Sequence, residues 1–320
     1  MLARPPLIAA IEAGGTKFNL ALGTGPEDLR ATARLPTTTP AETLSATIAW
    51  LEQAAREHGE FAAIGVGSFG PLALDPSAPD YGFITSTPKL GWQHTDLLGP
   101  LRNRFKVPVA LDTDVNAAAL AEARWGAGQG RDPLVYLTIG TGVGGGAIVH
   151  GRPLHGLLHP EMGHLSVPHP PAWAGHRGNC PFHDSCLEGF ISGPALAARW
   201  GAAAETFSAD HPAWPCFADT LAAALVSIIT ILSPRCIILG GGVMHSPTLL
   251  PMIRAATSKK LNGYLQVPAL LGLLDDYLVP PCLGDRSGIL GAILLGQATV
   301  CAMPAAVPAH QNGFTVPVQA

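Results

Sequence analysis

Charged side chains are scarce in this chain of 320 residues: Lys, Arg, Asp and Glu make up only 13% of it, and the formal net charge is −4. No run of basic residues occurs. This scarcity argues against a nucleic-acid surface and against a membrane patch held by charge alone. A small molecule is the partner that this composition favours.

Cysteine is sparse as well, with six residues in the whole chain, of which only Cys180 and Cys186 lie close together. This is not the dense pattern of a disulfide-stapled secreted domain, so a reducing compartment is expected. The N-terminal apolar run, residues 7–11, is cut short by Glu12 and lacks the core of a signal peptide. The longest apolar stretch, residues 221–232, is predicted to be too short to span a bilayer. We therefore expect a cytoplasmic protein.

What the chain does have is 48% hydrophobic residues and a length that suits two domains better than one core. A glycine- and proline-rich segment, residues 159–193, concentrates the chemically useful side chains. Within it Cys180, His183 and Cys186 are spaced as C-x2-H-x2-C, and His164 lies sixteen residues upstream of Cys180. Thiolate and imidazole are the ligands that zinc prefers in closed tetrahedral sites, so the spacing predicts a structural zinc.

The alternative for this segment is that the two thiols are ordinary small buried side chains and the histidines lie on a surface loop. Three further histidines of the segment have no comparable spacing, and we expect them to be solvated or to lie behind the ligands: His159, His169 and His176.

Two glycine-centred turns each follow a predicted strand. Residues 7–11 and 18–22 read as strands joined by a turn whose backbone N–H groups could approach a phosphate: Gly14, Gly15, Thr16 and Lys17. A Gly-Gly hairpin is more often just a tight turn. Residues 134–139, a glycine loop at 140–146 and a strand at 147–149 repeat the pattern. The loop is not a Rossmann fingerprint because no helix follows it, and no P-loop motif occurs in the chain.

Carboxylates stand at the junction of a strand and a helix. The predicted strand 107–111 runs into Asp112, Thr113 and Asp114, and a predicted helix follows at 115–125. Ligands of open α/β sheets bind at such carboxyl ends of strands. The alternative is that these aspartates cap the helix, and capping must explain at least one of them.

The remaining elements complete an alternating pattern. Thr39, Pro40 and Glu42 form a capping box that predicts a helix. A strongly apolar helix is predicted at 216–232, a strand at 236–239 that ends in three glycines, and a last helix at 285–296. Two hairpins with glycine turns, one beginning each half, suggest two related α/β domains that face each other across a cleft, with a triphosphate bridging both turns.

Six motifs, in order, resemble one known family: IEAGGTK, DTDVNAAALAEARWG, LTIGTGVGGG, HPEMGH, C-x2-H-x2-C-LEG and IILGGG. They are similar to the ROK family of bacterial sugar kinases over about residues 8–296. The resemblance implies a two-domain α/β fold of the actin and hexokinase type, a duplicated ribonuclease H-like fold with the active site in the cleft. The implied small domain is 1–115, completed by a helix near 285–298. The large domain is 116–284 with the zinc loop 159–193, and 300–320 is a loosely held tail.

The resemblance also implies roles for single residues. Asp114 occupies the Asp position of the family motif N-D-x-N-A, which makes it the general base for a sugar hydroxyl. The implied sugar contacts are Glu161, His164, Glu188 and Thr113, the last in place of an Asn found in many glucose-specific members. Glu12 replaces the usual Asp, with a role in holding Mg²⁺ through water. The implied ATP contacts are Gly14, Gly15, Thr16, Lys17, Thr141, Gly142, Gly144, Gly241 and Gly242.

ATP, Mg²⁺ and a structural Zn²⁺ are therefore the expected cofactors. IEAGG, HPEMGH and the metal pattern resemble the fructokinase branch, which implies phosphorylation of D-fructose to fructose 6-phosphate and a homodimer. Kinases for mannose, glucose or an N-acetylhexosamine remain alternatives. A non-catalytic sugar sensor or repressor is disfavoured, because only eleven residues precede Glu12 and a DNA-binding helix-turn-helix would need more.

Overall fold

The structure is a computed structural model that describes residues 5–301, with side chains to residue 300. Its strands in chain order are β1 (Ile8–Ala13), β2 (Lys17–Gly25), β3 (Asp28–Pro36), β4 (Ala63–Ser68), β5 (Phe83–Ile84), β6 (Thr95–Asp96), β7 (Val109–Thr113), β8 (Leu134–Ile139), β9 (Val143–Val149), β10 (Arg152–Pro153), β11 (Cys236–Gly240) and β12 (Leu278–Val279). Its helices are α1 (Pro40–His58), α2 (Gly99–Phe105), α3 (Asp114–Trp125), α4 (Leu187–Ile191), α5 (Gly193–Trp200), α6 (Ala213–Leu232), α7 (Leu249–Leu261) and α8 (Ser287–Cys301).

Two five-stranded sheets share one topology. The first has the order β3-β2-β1-β4-β7 and the second β10-β9-β8-β11-β12. In each, an antiparallel hairpin (β1–β2 or β8–β9) is extended on one side by an antiparallel edge strand and on the other by two parallel strands. The repeated order agrees with the predicted duplication, and both glycine turns close the tips of equivalent hairpins.

Helix α1 shows how local sequence sets an element. The Thr39 side chain accepts a hydrogen bond from the Glu42 backbone N–H at 3.4 Å, and the Glu42 carboxylate accepts from Thr39 N, so the predicted capping box is confirmed. Leu44, Leu51 and Ala54 form the buried face. Full burial of one such leucine contributes about 2 kcal/mol to stability.

Helix α8 lies between α3 and the first sheet because glycines let the backbones approach. A Cβ on Gly65 of β4 would meet Ala292 O at 1.8 Å, and a Cβ on Gly291 would meet Ala117 O of α3 at the same distance. Helix α8 thus packs on β1, β4 and α3, as expected for a C-terminal helix near 285–298. The domain boundaries at 115 and 284 stay predictions.

Helix α6 corrects one expectation. It has twenty residues, beginning at Ala213 rather than 216, and within residues 5–301 it is the one helix whose length and hydropathy would suffice to cross a membrane. The apolar stretch 221–232 is thus the C-terminal part of a longer helix. Its buried side chains, among them Trp214, Phe217, Leu221 and Leu225, belong to the core of the second half. Apolar core helices meet the same criterion.

The second glycine loop is shorter than predicted. Strand β9 begins at Val143, so Gly144, Gly145 and Gly146 are strand residues and not loop residues. A Cβ on Gly144 would lie 2.7 Å from Val115 Cγ1, and one on Gly146 2.5 Å from Asn116 Oδ1. These glycines allow β9 to pack closely on α3. The predicted tail, 300–320, lies outside the described residues from 302 onward.

Candidate active site and metal centre

A cavity of about 460 Å³ opens between the two sheets. Both hairpins and the start of α3 contribute to its wall, as does the turn after β11. Its predicted site residues are Glu12, Lys17, Asp114, Gly241 and Gly242, and its unpredicted ones include Asn19, Tyr136, Thr138, Met244, His245, Pro280, Pro281, Asp285 and Ser287. The size suits a small-molecule ligand.

Asp114 is the first residue of α3, and it is not the cap. The N-cap is Thr113, whose hydroxyl oxygen accepts from Asn116 N at 3.1 Å. The expectation that capping explains Asp112 or Asp114 was therefore wrong, because Asp112 still belongs to β7 and Asp114 already has helical geometry. Thr113 is almost fully buried and its oxygen is engaged, so its hydroxyl hydrogen is what it can offer a ligand.

Electrostatics make the Asp114 carboxyl unusual. Burial, and next to it the negative charge of Glu12, raises the pKa of Asp114 to about 6, against a smaller lowering by the hydrogen bond from Val115 N at 2.9 Å. Such a group is ionised at neutral pH yet holds a proton far better than an ordinary aspartate. This is the tuning that a general base needs.

Glu12 faces the same cavity. Its Oε2 accepts from Asn19 Nδ2 at 2.8 Å, and burial raises the pKa of Glu12. Gly288 leaves room for this carboxylate, since a Cβ there would lie 2.5 Å from Glu12 Oε1. Two partly buried carboxylates beside one cavity fit a hard divalent cation such as Mg²⁺, which prefers oxygen ligands and would relieve their mutual repulsion.

The first glycine turn uses some of its own donors. Gly14 N donates to Lys17 O at 2.9 Å, so this N–H is not available to a phosphate. A Cβ added to Gly15 would have no heavy atom within 4 Å, Thr16 is exposed, and Lys17 lines the cavity. The turn therefore offers Gly15, Thr16 and Lys17 more readily than Gly14.

The second glycine turn is hydrogen-bonded by Glu188, one of the predicted sugar-binding residues. Glu188 Oε2 accepts from Val143 N at 2.9 Å, and a Cβ on Gly142 would lie 2.8 Å from the same oxygen. Thr141 at the tip is exposed. Across the cavity wall, Gly241 has φ +94° and a Cβ on it would lie 2.4 Å from Ile139 O, so only glycine fits there, while Gly242 is open to the cavity.

The predicted sugar carboxylates do come together. Burial raises the pKa of Glu161 to about 7, and the charges of Glu188 and Asp114 act in the same direction. Three acidic groups from distant parts of the sequence therefore share one region of negative potential. Hydroxyl groups of a sugar could donate to all three.

The predicted zinc ligands form one cluster. The ligand atoms of His164, Cys180, His183 and Cys186 all lie within 4.8 Å of one another. Cys180 Sγ is 3.5 Å from His183 Nδ1 and 3.8 Å from His164 Nδ1, and Cys186 Sγ is 3.7 Å from His164 Nδ1. Tetrahedral Zn–S and Zn–N bonds place S and N about 3.6 Å apart. The donor set therefore fits zinc, and the zinc site stays a prediction.

Sequence reasoning missed two histidines next to this site. His159, expected to be solvated or behind the ligands, is buried and accepts from Leu72 N at 3.0 Å. His155 Nε2 lies 3.1 Å from Asp112 Oδ2. The available signal was the stretch LHGLLHPEMGH, in which histidines recur in an otherwise apolar loop. His169 and His176 are exposed, as expected.

The sequence profile of the ROK family matches residues 8–299. The chain belongs to the ROK family. Curated relatives include the fructokinase of Pediococcus pentosaceus, 43% identical with 92% of this chain and 99% of the relative covered, and the fructokinase of Zymomonas mobilis, 42% identical with 91% and 97% covered.

Solved structures of the ROK family share the fold. The ROK hexokinase from Thermus thermophilus is 29% identical, with a TM-score of 0.74 and 92% of this chain and 99% of that chain covered. A ROK glucokinase from Streptomyces griseus in complex with glucose and AMPPNP is 25% identical, with a TM-score of 0.73 and coverages of 91% and 99%. The predicted actin- and hexokinase-like fold and the family resemblance are thereby confirmed.

Proposed function

We propose that this ROK protein phosphorylates D-fructose with ATP to give fructose 6-phosphate. The observation that carries the proposal is Asp114, a partly buried carboxylate with a raised pKa that is not the helix cap and opens on the cavity between the two halves. The fructokinase names of relatives at 42% and 43% identity support the choice of sugar. A homodimer and a cytoplasmic location stay predictions.

The mechanism assigns one task to each part of the cleft. Asp114 accepts the proton of the attacking hydroxyl as its oxygen bonds the γ-phosphorus of ATP, while the bond from this phosphorus to the bridging oxygen breaks and ADP leaves. Lys17 and the turn at Gly241 and Gly242 hold the phosphates and the nucleotide. Glu12 would hold Mg²⁺ through water, and this ion would neutralise part of the phosphate charge. Because phosphoryl transfer depends on positioning and charge, these groups suffice for the reaction.

Sugar recognition falls to Glu161, His164 and Glu188. A carboxylate accepts charge-assisted hydrogen bonds from hydroxyl groups, and in a closed cleft an analogue that leaves one of them unpaired binds far less well. His164 uses Nδ1 toward the metal cluster, which leaves its Nε2 for the sugar. The metal would thus orient a sugar contact while having no open position for catalysis.

A panel of sugars tests the substrate. ADP release is measured with fructose, mannose, glucose, N-acetylglucosamine, N-acetylmannosamine and allose, and we expect the highest kcat/KM for fructose with mannose second. A preparation of Asp114→Asn serves as the control for contaminating kinases. A higher kcat/KM for glucose or an N-acetyl sugar would contradict the fructokinase assignment but keep the kinase. No turnover of any sugar would favour a sensor.

The raised pKa of Asp114 predicts a pH profile. Asp114 must be unprotonated to act as base and Glu161 to accept from the sugar, so kcat/KM of the free enzyme should fall as the pH drops from about 7 through about 6 and not near 4. Glu12→Gln removes the second cause of the shift, so it should move this acid limb to lower pH while burial keeps part of the shift. An acid limb that is the same in wild type and Glu12→Gln would show that Glu12 does not act on Asp114.

A further inference from the structure

The segment 154–161 of the second half crosses to the first half and ends at Glu161. It begins directly after β10 and contains two histidines that the metal cluster does not use, His155 and His159. Each contacts a different part of the first half. Such a pair of contacts, four residues apart, fixes both the place and the orientation of the segment.

His155 makes the first contact, with Asp112 in β7. Its Nε2 lies 3.1 Å from Asp112 Oδ2 and 3.2 Å from Oδ1. Asp112 is almost fully buried, and its Oδ1 also accepts from Thr113 N at 2.7 Å and from Asn116 Nδ2 at 2.8 Å. The hydrogen bond to Asp112 raises the pKa of His155, which favours the imidazolium form of the ring beside this carboxylate. Asp112 is two residues from Asp114, which links the contact to the start of α3.

His159 makes the second contact as a hydrogen-bond acceptor. Its Nε2 accepts from Leu72 N at 3.0 Å, which requires that Nε2 carries no hydrogen and that Nδ1 does. Nδ1 lies 3.4 Å from Glu161 Oε1. Burial lowers the pKa of His159, in keeping with a neutral ring. Gly70 lets the loop approach the ring, because a Cβ there would lie 3.4 Å from both Cε1 and Nε2 of His159.

We propose that His155 and His159 are positioning residues that tie the segment 154–161 to the first half and so hold Glu161 at the right distance from Asp114 for the sugar. The inference rests on the proposed sugar-kinase function. Ordinary core packing would explain the buried, hydrogen-bonded His159. It would not explain why the half-exposed His155, on the same short segment, lies beside the carboxylate of Asp112. Both ties end on elements of the first half, β7 and the loop after β4.

The test is kinetic. His155→Leu removes the tie to Asp112, and His159→Gln keeps an acceptor for Leu72 N while removing the Nδ1 hydrogen that faces Glu161. We expect the KM for fructose to rise about tenfold or more in each, because displacement of a binding group by about 1 Å has effects of that order. The KM for ATP and kcat should change less than about threefold, because a saturating sugar itself holds Glu161 in place. His58→Gln, a histidine on the surface of α1, is the matched control.

If His155→Leu does not fold, Asp112→Asn tests the same contact, because asparagine keeps the shape of the aspartate side chain. The charged and titratable groups that face His155 and His159 are Asp112 and Glu161, together with the two rings themselves. In wild type the KM for fructose should rise as the pH passes above the raised pKa of His155 and the imidazolium is lost. Asp112→Asn should raise this KM already at neutral pH and remove its alkaline dependence.

A second readout does not need catalysis. Leu157 is fully exposed at the tip of the segment, and Leu158 is exposed next to it. Cleavage there by chymotrypsin should be faster in His155→Leu than in wild type or His58→Gln. If the wild type turns over no sugar, the proposed function is wrong. The cleavage rates then still test whether His155 and His159 hold the segment in place. An active wild type whose variants keep both the normal fructose KM and the normal cleavage rate would overturn the inference, as would a loss of kcat alone.

Discussion

Asp114→Asn is expected to lower kcat for fructose by about 10²- to 10⁴-fold, the usual contribution of a general base. Asparagine keeps the size of the side chain and an acceptor for Val115 N but cannot take the proton of the hydroxyl. The KM for both substrates should change little, since binding is assigned to other groups. Steady-state kinetics of the two proteins measure the effect. Near-normal turnover would show that Asp114 is not the base.

The same variant should be more stable than wild type at neutral pH. The folded-state pKa of Asp114 is raised from 3.8 to about 6, so the ionised carboxylate costs stability above pH 6 and this cost disappears below pH 4. Removing the charge should add about 1 to 3 kcal/mol at pH 7.5 and nothing at pH 4. Thermal melts at both pH values check the sign. Asp80→Asn, at an exposed aspartate, should change neither activity nor stability.

Loss of the metal is the second large effect. The purified protein should contain about one zinc per chain, because the four clustered side chains make one closed tetrahedral site. Cys180→Ser and Cys186→Ser should lose the metal and lower activity by about 100-fold or more, since misplacement of binding groups by about 1 Å has that cost. Elemental analysis and fructose kinetics are the measurements. Cys282→Ser, at an exposed cysteine outside the cluster, is the control.

The expected loss of activity follows from where the ligands lie. His164 belongs to the short 3₁₀ turn Met162–His164, directly after Glu161, and Cys186 is the residue before α4, whose first turn carries Glu188. A zinc ion held by these ligands would therefore join the two segments that hold the proposed sugar carboxylates. Burial raises the pKa of the Cys186 thiol, so a cation is needed to keep it as thiolate. A metal-free enzyme with full activity would overturn this role.

Several features of this protein are encoded by short stretches of the chain. The capping box at Thr39 and Glu42, the paired hairpins with glycine turns, and the spacing of Cys180, His183 and Cys186 all act over a few residues. Local rules of capping, turn formation and ligand spacing are therefore sufficient to predict them. The order of six motifs was also sufficient for the family, and through it for the fold.

Other features depend on residues that lie far apart in the chain and meet only in the folded protein. The glycines at 144–146 were predicted to form a loop, but they are strand residues against which α3 packs. The N-cap of α3 is Thr113 and not an aspartate. His155 contacts Asp112, 43 residues away in the sequence, and His159 contacts Leu72, 87 residues away. The raised pKa of Asp114 likewise comes from burial and from Glu12, about one hundred residues away in the sequence. Burial and charge act through distance in space, which periodicity and spacing along a chain do not encode.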